Sequence, residues 1–206
     1  MTHMADISAK QVKELRDATG AGILDCKKAL TEADGDQARA VEILRTHGLA
    51  DAQKKAGRTT NEGIIDSYIH LGGKIGVLVE LNCETDFVAR TEPFQELAHE
   101  ICMQIAATDP TYVSRDDVPA AEIEQEERIL KEQALSEGKP DEIAERIVAG
   151  RIEKYYGQIC LLDQPYIRDA DKTVEDLVKE AIATLGENIN INRFVRFALG
   201  EDGESN

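Results

Sequence analysis

Residues 65–81 read Ile65-Asp66-Ser67-Tyr68-Ile69-His70-Leu71-Gly72-Gly73-Lys74-Ile75-Gly76-Val77-Leu78-Val79-Glu80-Leu81. Two strand-like runs, Ile65–His70 and Ile75–Leu81, flank a glycine pair, which is the pattern of a β-hairpin. Everything before this stretch is spaced for helices, so the switch of period from 3.6 to 2 makes the fold mixed. The Gly72-Gly73-Lys74 turn does not cradle phosphate. A P-loop needs spaced glycines, then Lys-Ser/Thr and a helix, and here a strand follows.

Upstream, the spacing predicts three short helices. Ser8 is placed to cap the first, with Gln11 completing a capping box and Ile7 and Val12 at staple spacing. That helix turns Val12, Leu15 and Ala18 inward and stops at Gly20. A second begins after Gly20-Ala21-Gly22, with Ile23, Leu24, Cys26, Ala29 and Leu30 available for packing. Asp34-Gly35-Asp36 opens a third, bearing Ala40, Val41, Ile43 and Leu44, with Gly48 expected just past its end. Residues 1–55 thus read as a three-helix bundle, and the polar run 56–61 as a linker. Charge changes at the same place: residues 1–58 carry ten Lys/Arg and nine Asp/Glu, the remainder 14 and 31.

Downstream, residues 62–200 read as an α+β core with helices on an antiparallel sheet. Thr91 and Pro93 start a helix whose Phe94, Leu97, Ala98, Ile101, Cys102 and Ile105 form a wide apolar stripe. Two highly charged helical stretches follow, about 119–136 and 141–155, separated by Glu137-Gly138-Lys139-Pro140. Their narrow seam (Ile123, Leu130, Leu135; Ile143, Ile147, Ile152) predicts an inserted antiparallel helical hairpin. Ile159–Leu162 reads as a buried strand, continued at an edge by Pro165-Tyr166-Ile167. Thr173 is expected to cap a helix ending at Gly186. In the closing strand Ile189, Ile191, Val195, Phe197 and Leu199 share one face, and residues 201–206 form an acidic tail.

Composition bounds the function. Forty Asp+Glu against 24 Lys+Arg give a formal charge of −16 in 206 residues, which argues against wrapping nucleic-acid phosphates on a broad basic surface. The longest apolar run, Ile75–Val79, is too short to cross a membrane. The start, Met1–Asp6, has neither a basic nor an apolar signal region, so a cytoplasmic protein is expected. Cys26, Cys83, Cys102 and Cys160 are dispersed, without the clustering of a zinc site or a disulfide framework. A nucleophilic Cys83 is conceivable beside Glu84-Thr85-Asp86, but none of His3, His47, His70 and His99 forms a recognisable motif with it. No cofactor or metal is expected. Asp86 reads as a helix cap or dipole partner, or as a functional carboxylate; Phe87 reads as core or as a protruding contact.

Three sets of residues carry a resemblance. They are Val12-Lys13-Glu14-Leu15-Arg16 with Thr19-Gly20-Ala21-Gly22 and Asp25–Leu30; Glu80-Leu81-Asn82-Cys83-Glu84-Thr85-Asp86-Phe87-Val88-Ala89-Arg90; and Gly186-Glu187-Asn188-Ile189-Asn190-Ile191 with Arg193–Phe197. Together they resemble the bacterial elongation factor Ts family, in a short form with one copy of the core subdomain. The resemblance implies an exchange factor, not an enzyme, that promotes GDP release from the GTPase elongation factor Tu. It implies that the N-terminal bundle is similar to a ubiquitin-associated fold and docks through Lys13, Leu15, Arg16, Gly22 and Ile23. It further implies that Thr85, Asp86, Phe87 and Val88 enter the GTPase near its magnesium, and that the short form is a homodimer. Ile23-Leu24 departs from the methionines common at these positions in the family.

Overall fold

A computed structural model describes residues 7–201; the acidic tail beyond Glu201 and the first six residues lie outside that range. The fold is α+β, as the change of period predicts. Helices α1 (Ala9–Thr19), α2 (Ile23–Glu32) and α3 (Gln37–Lys55) form the N-terminal bundle. The capping box forms: the Ser8 hydroxyl accepts from the Gln11 N–H at 3.3 Å, and the Gln11 side chain accepts from the Ser8 N–H at 3.0 Å. Gly20 ends α1 in the left-handed region at φ 68°, where a Cβ would be strained. Asp36 caps α3 by accepting from the Arg39 N–H at 3.1 Å. Val12, Leu15, Cys26, Ala29, Leu30, Ala33 and Ala40 make the bundle core, with Ile7, Ile43 and Leu44 packed against it.

Two expectations here need correcting. Ile23 and Leu24 do not pack inside the bundle; they are 56% and 72% exposed. Gly48 does not end the third helix, which continues to Lys55. A mid-helix glycine costs about 1 kcal/mol relative to alanine, but a Cβ at Gly48 would meet the Ala183 Cβ at 3.0 Å. The close approach of another helix, with Ala52 buried one turn on, overrides propensity.

Strands β1 (Glu62–Ile69), β2 (Ile75–Cys83) and, at the C-terminus, β5 (Ile189–Ala198) form one sheet with β2 in the centre. The hairpin closes as read, the His70 N–H donating to the Ile75 carbonyl at 2.9 Å, with Gly72 and Gly73 both at positive φ. The Leu199 N–H donates to the Lys74 carbonyl and Arg193 pairs with Glu80, so β5 runs antiparallel to β2. Val77, Val79, Leu81 and Cys83 are buried along one face of β2. In β5 the alternation holds, but burial does not follow it: Ile189 and Ile191 are buried while Val195, Phe197 and Leu199 are exposed.

A short helix α4 (Asp86–Ala89) follows β2, then α5 (Glu92–Thr108), whose predicted stripe is buried throughout. Thr91 precedes α5; its hydroxyl donates back to the Val88 carbonyl at 2.7 Å. The hairpin is α6 (Ala120–Ser136) and α7 (Asp141–Ile159). Its seam differs from the predicted one: Leu130, Ala134, Ala144 and Ile152 are buried, whereas Leu135 and Ile143 are exposed. Alanines let the helices approach closely, which an aliphatic-only reading misses. At the hairpin base, the Tyr112 and Tyr155 hydroxyls both donate to Glu122, at 2.6 and 2.7 Å. Arg115 pairs with Glu153 and Asp163 and lies over the Tyr156 ring.

The expected strand at Ile159–Leu162 is absent. Ile159 ends α7, Cys160 makes an isolated bridge with Tyr112, and Leu161–Asp163 is a 3₁₀ turn. A four-residue apolar run does not distinguish a strand from a buried helix end. Pro165-Tyr166 is an edge strand, β3, and pairs antiparallel with β4 (Asp169–Thr173), too polar to register as a strand. Helix α8 (Val174–Leu185) follows β4 directly, and Gly186 ends it at φ 80°.

Two compact units are present. The first comprises the chain to Ile64 with Asn82–Leu97 and Asp176–Asn190; the second comprises Ile65–Leu81, Ala98–Glu175 and the chain from Ile191.

Candidate functional site

The residues Thr85–Val88 occupy the turn between β2 and α5, in the first unit. β2 delivers the chain to Cys83, which is fully buried and donates its thiol to the Thr85 carbonyl at 3.2 Å. Thr85 then caps α4, accepting from the Val88 N–H at 3.4 Å. Ala89 is buried and anchors the far side. Between these anchors Phe87 projects outward, 78% exposed. That exposure, on a turn held at both ends, resolves the open reading of Phe87: it is not a core residue of this chain. Asp86 lies at the same tip, its carboxylate paired with Arg90 one helical turn on. Val88 is half-buried beneath them.

The turn is held from outside as well. Glu187 accepts from the Glu84 N–H at 3.1 Å and the Thr85 N–H at 3.0 Å through Oε2, and from the Thr85 hydroxyl at 2.6 Å through Oε1. Glu84 in turn accepts from the Asn188 N–H at 2.7 Å and from Arg58 at 3.3 Å. Those bonds, that from Asn188 foremost, hold the Glu84 carboxyl below the ordinary glutamate range. The Asn188 amide donates to the Ala56 and Arg58 carbonyls, so the polar segment after α3 is tied down. Reading the residues singly did not find Glu84, Glu187 and Asn188 as supports; the available signal was the Gly186–Ile191 motif, whose polar pair has no packing explanation.

A groove on the bundle gathers Ile7, Val12, Lys13, Arg16, Ile23 and Lys27. Three of the predicted docking residues, Lys13, Arg16 and Ile23, therefore share one surface. Gly22 borders it as the N-cap of α2, where a Cβ would lie 3.1 Å from an Asp25 carboxylate oxygen. Leu15 is the exception. It is 1% exposed and belongs to the bundle core, not to the lining of the groove.

Nothing at the Asp86–Phe87 tip resembles a nucleophile–base pair. Burial pushes the Cys83 thiol up, with Glu187 adding to the effect, which leaves it inert. Among the described residues no group of His, Cys, Asp and Glu is arranged to hold a metal ion, and no helix is long and apolar enough to cross a membrane. What this turn offers is a braced protrusion: an exposed aromatic ring beside a carboxylate, on a turn held by hydrogen bonds at both ends.

Residues 37–201 match the family model described as Elongation factor TS. The chain is 64% identical over 199 residues to Elongation factor Ts of Thermoanaerobacter sp. (strain X514), covering 97% of this chain and 98% of that one. It is 62% identical to the Caldanaerobacter subterraneus protein of the same name over 95% of this chain and 98% of that one. Identity to the Moorella thermoacetica protein is 57%, over 95% and 96%.

Proposed function

The chain belongs to the elongation factor Ts family, and from that premise we propose that it is a guanine-nucleotide exchange factor for elongation factor Tu, acting without catalytic groups of its own. It works in the cytoplasm, binds no nucleic acid directly and needs no cofactor. The observation that carries this reading is Phe87, 78% exposed on a turn anchored at Cys83, Thr85 and Ala89.

Mg²⁺ demands near-ideal octahedral geometry and bridges nucleotide phosphates to the GTPase. Thr85–Val88 inserts beside that ion; Phe87 fills a pocket and Asp86 displaces or repels the groups around the metal. The nucleotide loses part of its hold, and GDP leaves with no bond made or broken. By linkage, factor and nucleotide weaken each other's binding by the same factor. The N-terminal bundle, similar to a ubiquitin-associated fold, supplies a second contact through Lys13, Arg16, Gly22 and Ile23. Two chains form the working homodimer, which presents two such surfaces.

The test is release of fluorescent GDP from elongation factor Tu in the presence and absence of the protein. Acceleration that depends on protein concentration is expected. A rate unchanged at saturating protein, with a complex still detectable, would leave an interaction adaptor as the better reading.

A further inference from the structure

The turn that bears Phe87 is held by a crossed pair of carboxylates from chain segments more than 100 residues apart. Glu187 receives the backbone N–H groups of Glu84 and Thr85 together with the Thr85 hydroxyl. In the opposite direction, Glu84 receives the backbone N–H of Asn188. Each segment thus donates main-chain hydrogens to the other's side chain. Hydrogen bonds to ionised acceptors are about twice as strong as neutral ones. A third segment joins them, because Arg58 donates to Glu84 and the Asn188 amide donates to the Ala56 and Arg58 carbonyls. Ala56 and Arg58 directly follow α3, the last helix of the bundle that carries the groove.

We infer that Glu187 is a positioning residue for nucleotide exchange: with Glu84 and Asn188 it locks the Thr85–Val88 turn and ties it to the end of the N-terminal bundle. The inference rests on the exchange-factor reading above. Thr85 links the two roles. Its hydroxyl accepts from the Val88 N–H to start α4 while donating to Glu187, so the carboxylate fixes the χ1 on which the cap depends. The consequence falls on the direction of Phe87 two residues later. Without Glu187, two main-chain N–H groups and one hydroxyl lose this acceptor, and the turn becomes free to sample other orientations. The groove contact is untouched and the Phe87 ring is still present, so complex formation suffers far less than productive insertion.

Glutamine is the discriminating substitution. Its carbonyl oxygen accepts from both main-chain N–H groups as Oε2 does now, and its NH₂ donates to the Thr85 hydroxyl, reversing one bond. Alanine keeps none of these bonds. GDP release from elongation factor Tu is measured by stopped flow over a range of factor concentrations, beside thermal melts, for wild type, Glu187→Ala, Glu187→Gln and Phe87→Ala. For Glu187→Ala the maximal release rate should fall by at least about tenfold, within the roughly 100-fold that misplacing a group by about an ångström can cost. The half-saturating concentration should change by less than about threefold, under 1 kcal/mol. Glu187→Gln should recover most of the rate. A loss in Glu187→Ala confined to the melting temperature or to half-saturation overturns the positioning role, as does failure of Glu187→Gln to restore the rate while it melts like wild type. Should Glu187→Ala not fold, Glu187→Gln decides alone: a folded variant retaining most of the wild-type maximal rate supports the role, and one losing it overturns the role. Phe87→Ala separates the two levels. If it leaves exchange unchanged, the wedge reading itself fails, whereas its loss alongside an unaffected Glu187→Ala sinks only the present inference.

Discussion

At the scale of single residues, Asp86 and Phe87 are separable. Phe87 is an exposed ring on a rigid turn, and a buried aromatic hot spot costs about 2 kcal/mol or more when truncated, roughly 30-fold. Phe87→Ala should therefore weaken the complex and slow GDP release by about that factor. In the proposed mechanism Asp86 acts once docked, so Asp86→Ala should reduce the maximal release rate more than the affinity. Neither side chain is part of the core, so both variants should melt near wild type. Unchanged exchange with a lowered melting point would reverse the assignment. Glu84 gives a prediction in pH. Its carboxyl is held below the ordinary glutamate value of 4.5, first by the Asn188 N–H and then by Arg58. A depressed folded-state value contributes stability above the unfolded value and loses it as pH falls through the folded one. The melting-temperature gap between wild type and Glu84→Gln should be full at neutral pH and close as pH drops below about 4.5. A gap independent of pH across that window would show that the charge of Glu84 contributes nothing.

At the scale of elements, the sequence shows most clearly what local physics decides. The capping box at Ser8, the glycine turn at Gly72-Gly73 and the apolar stripe of α5 each follow from neighbours in the chain, and each forms as read. The misses have a common cause in tertiary contact. Gly48 stays helical because Ala183 presses close, Cys160 is held by a bridge to Tyr112, and β4 exists because β3 pairs with it. The turn at Asp86 was legible through its motif, but its support by Glu187 was not, since that partner lies 102 residues away from Thr85. The helical hairpin follows the same division. Its buried side chains lie on the two helices themselves, while Tyr112, Glu122, Tyr155, Arg115 and Glu153 secure the base. Replacing residues 124–150 with a short Gly/Ser linker leaves that base intact. The shortened protein should fold and release GDP within about threefold of the wild-type rate, less than 1 kcal/mol. Circular dichroism and stopped-flow release check this, and abolished exchange in a folded variant would make the hairpin part of the exchange machinery.

At the scale of the whole molecule, the sheet leaves part of one face uncovered. In the second unit, Ile65 and Ile69 of β1, Leu78 of β2, and Val195 and Phe197 of β5 are 40–69% exposed. They share a face: a Cβ at Gly76 would lie 3.0 Å from Ile69 Cδ1, and Arg193 reaches across to Glu80 at 2.8 Å on the same side. A contiguous apolar sheet face is a recurrent interface, and an isologous pairing about a two-fold axis buries it on both copies at once. Charge sets the conditions. Each chain carries a formal −16, so two copies repel at long range, and the repulsion is screened over about 10 Å at 0.1 M salt. The proposed homodimer should therefore tighten as salt rises, the opposite of an assembly held by ion pairs. Light scattering in reductant should give close to twice 22.7 kDa. Phe197→Asp puts a charge into the apolar face and should weaken dimerisation by about 2 kcal/mol or more, roughly 30-fold. Its melting temperature, measured at concentrations where both proteins are monomeric, should stay near wild type because Phe197 is 68% exposed in the single chain. A wild-type protein that remains at 22.7 kDa across micromolar concentrations and high salt, yet still releases GDP, would remove the dimer from the mechanism and leave this face to another partner.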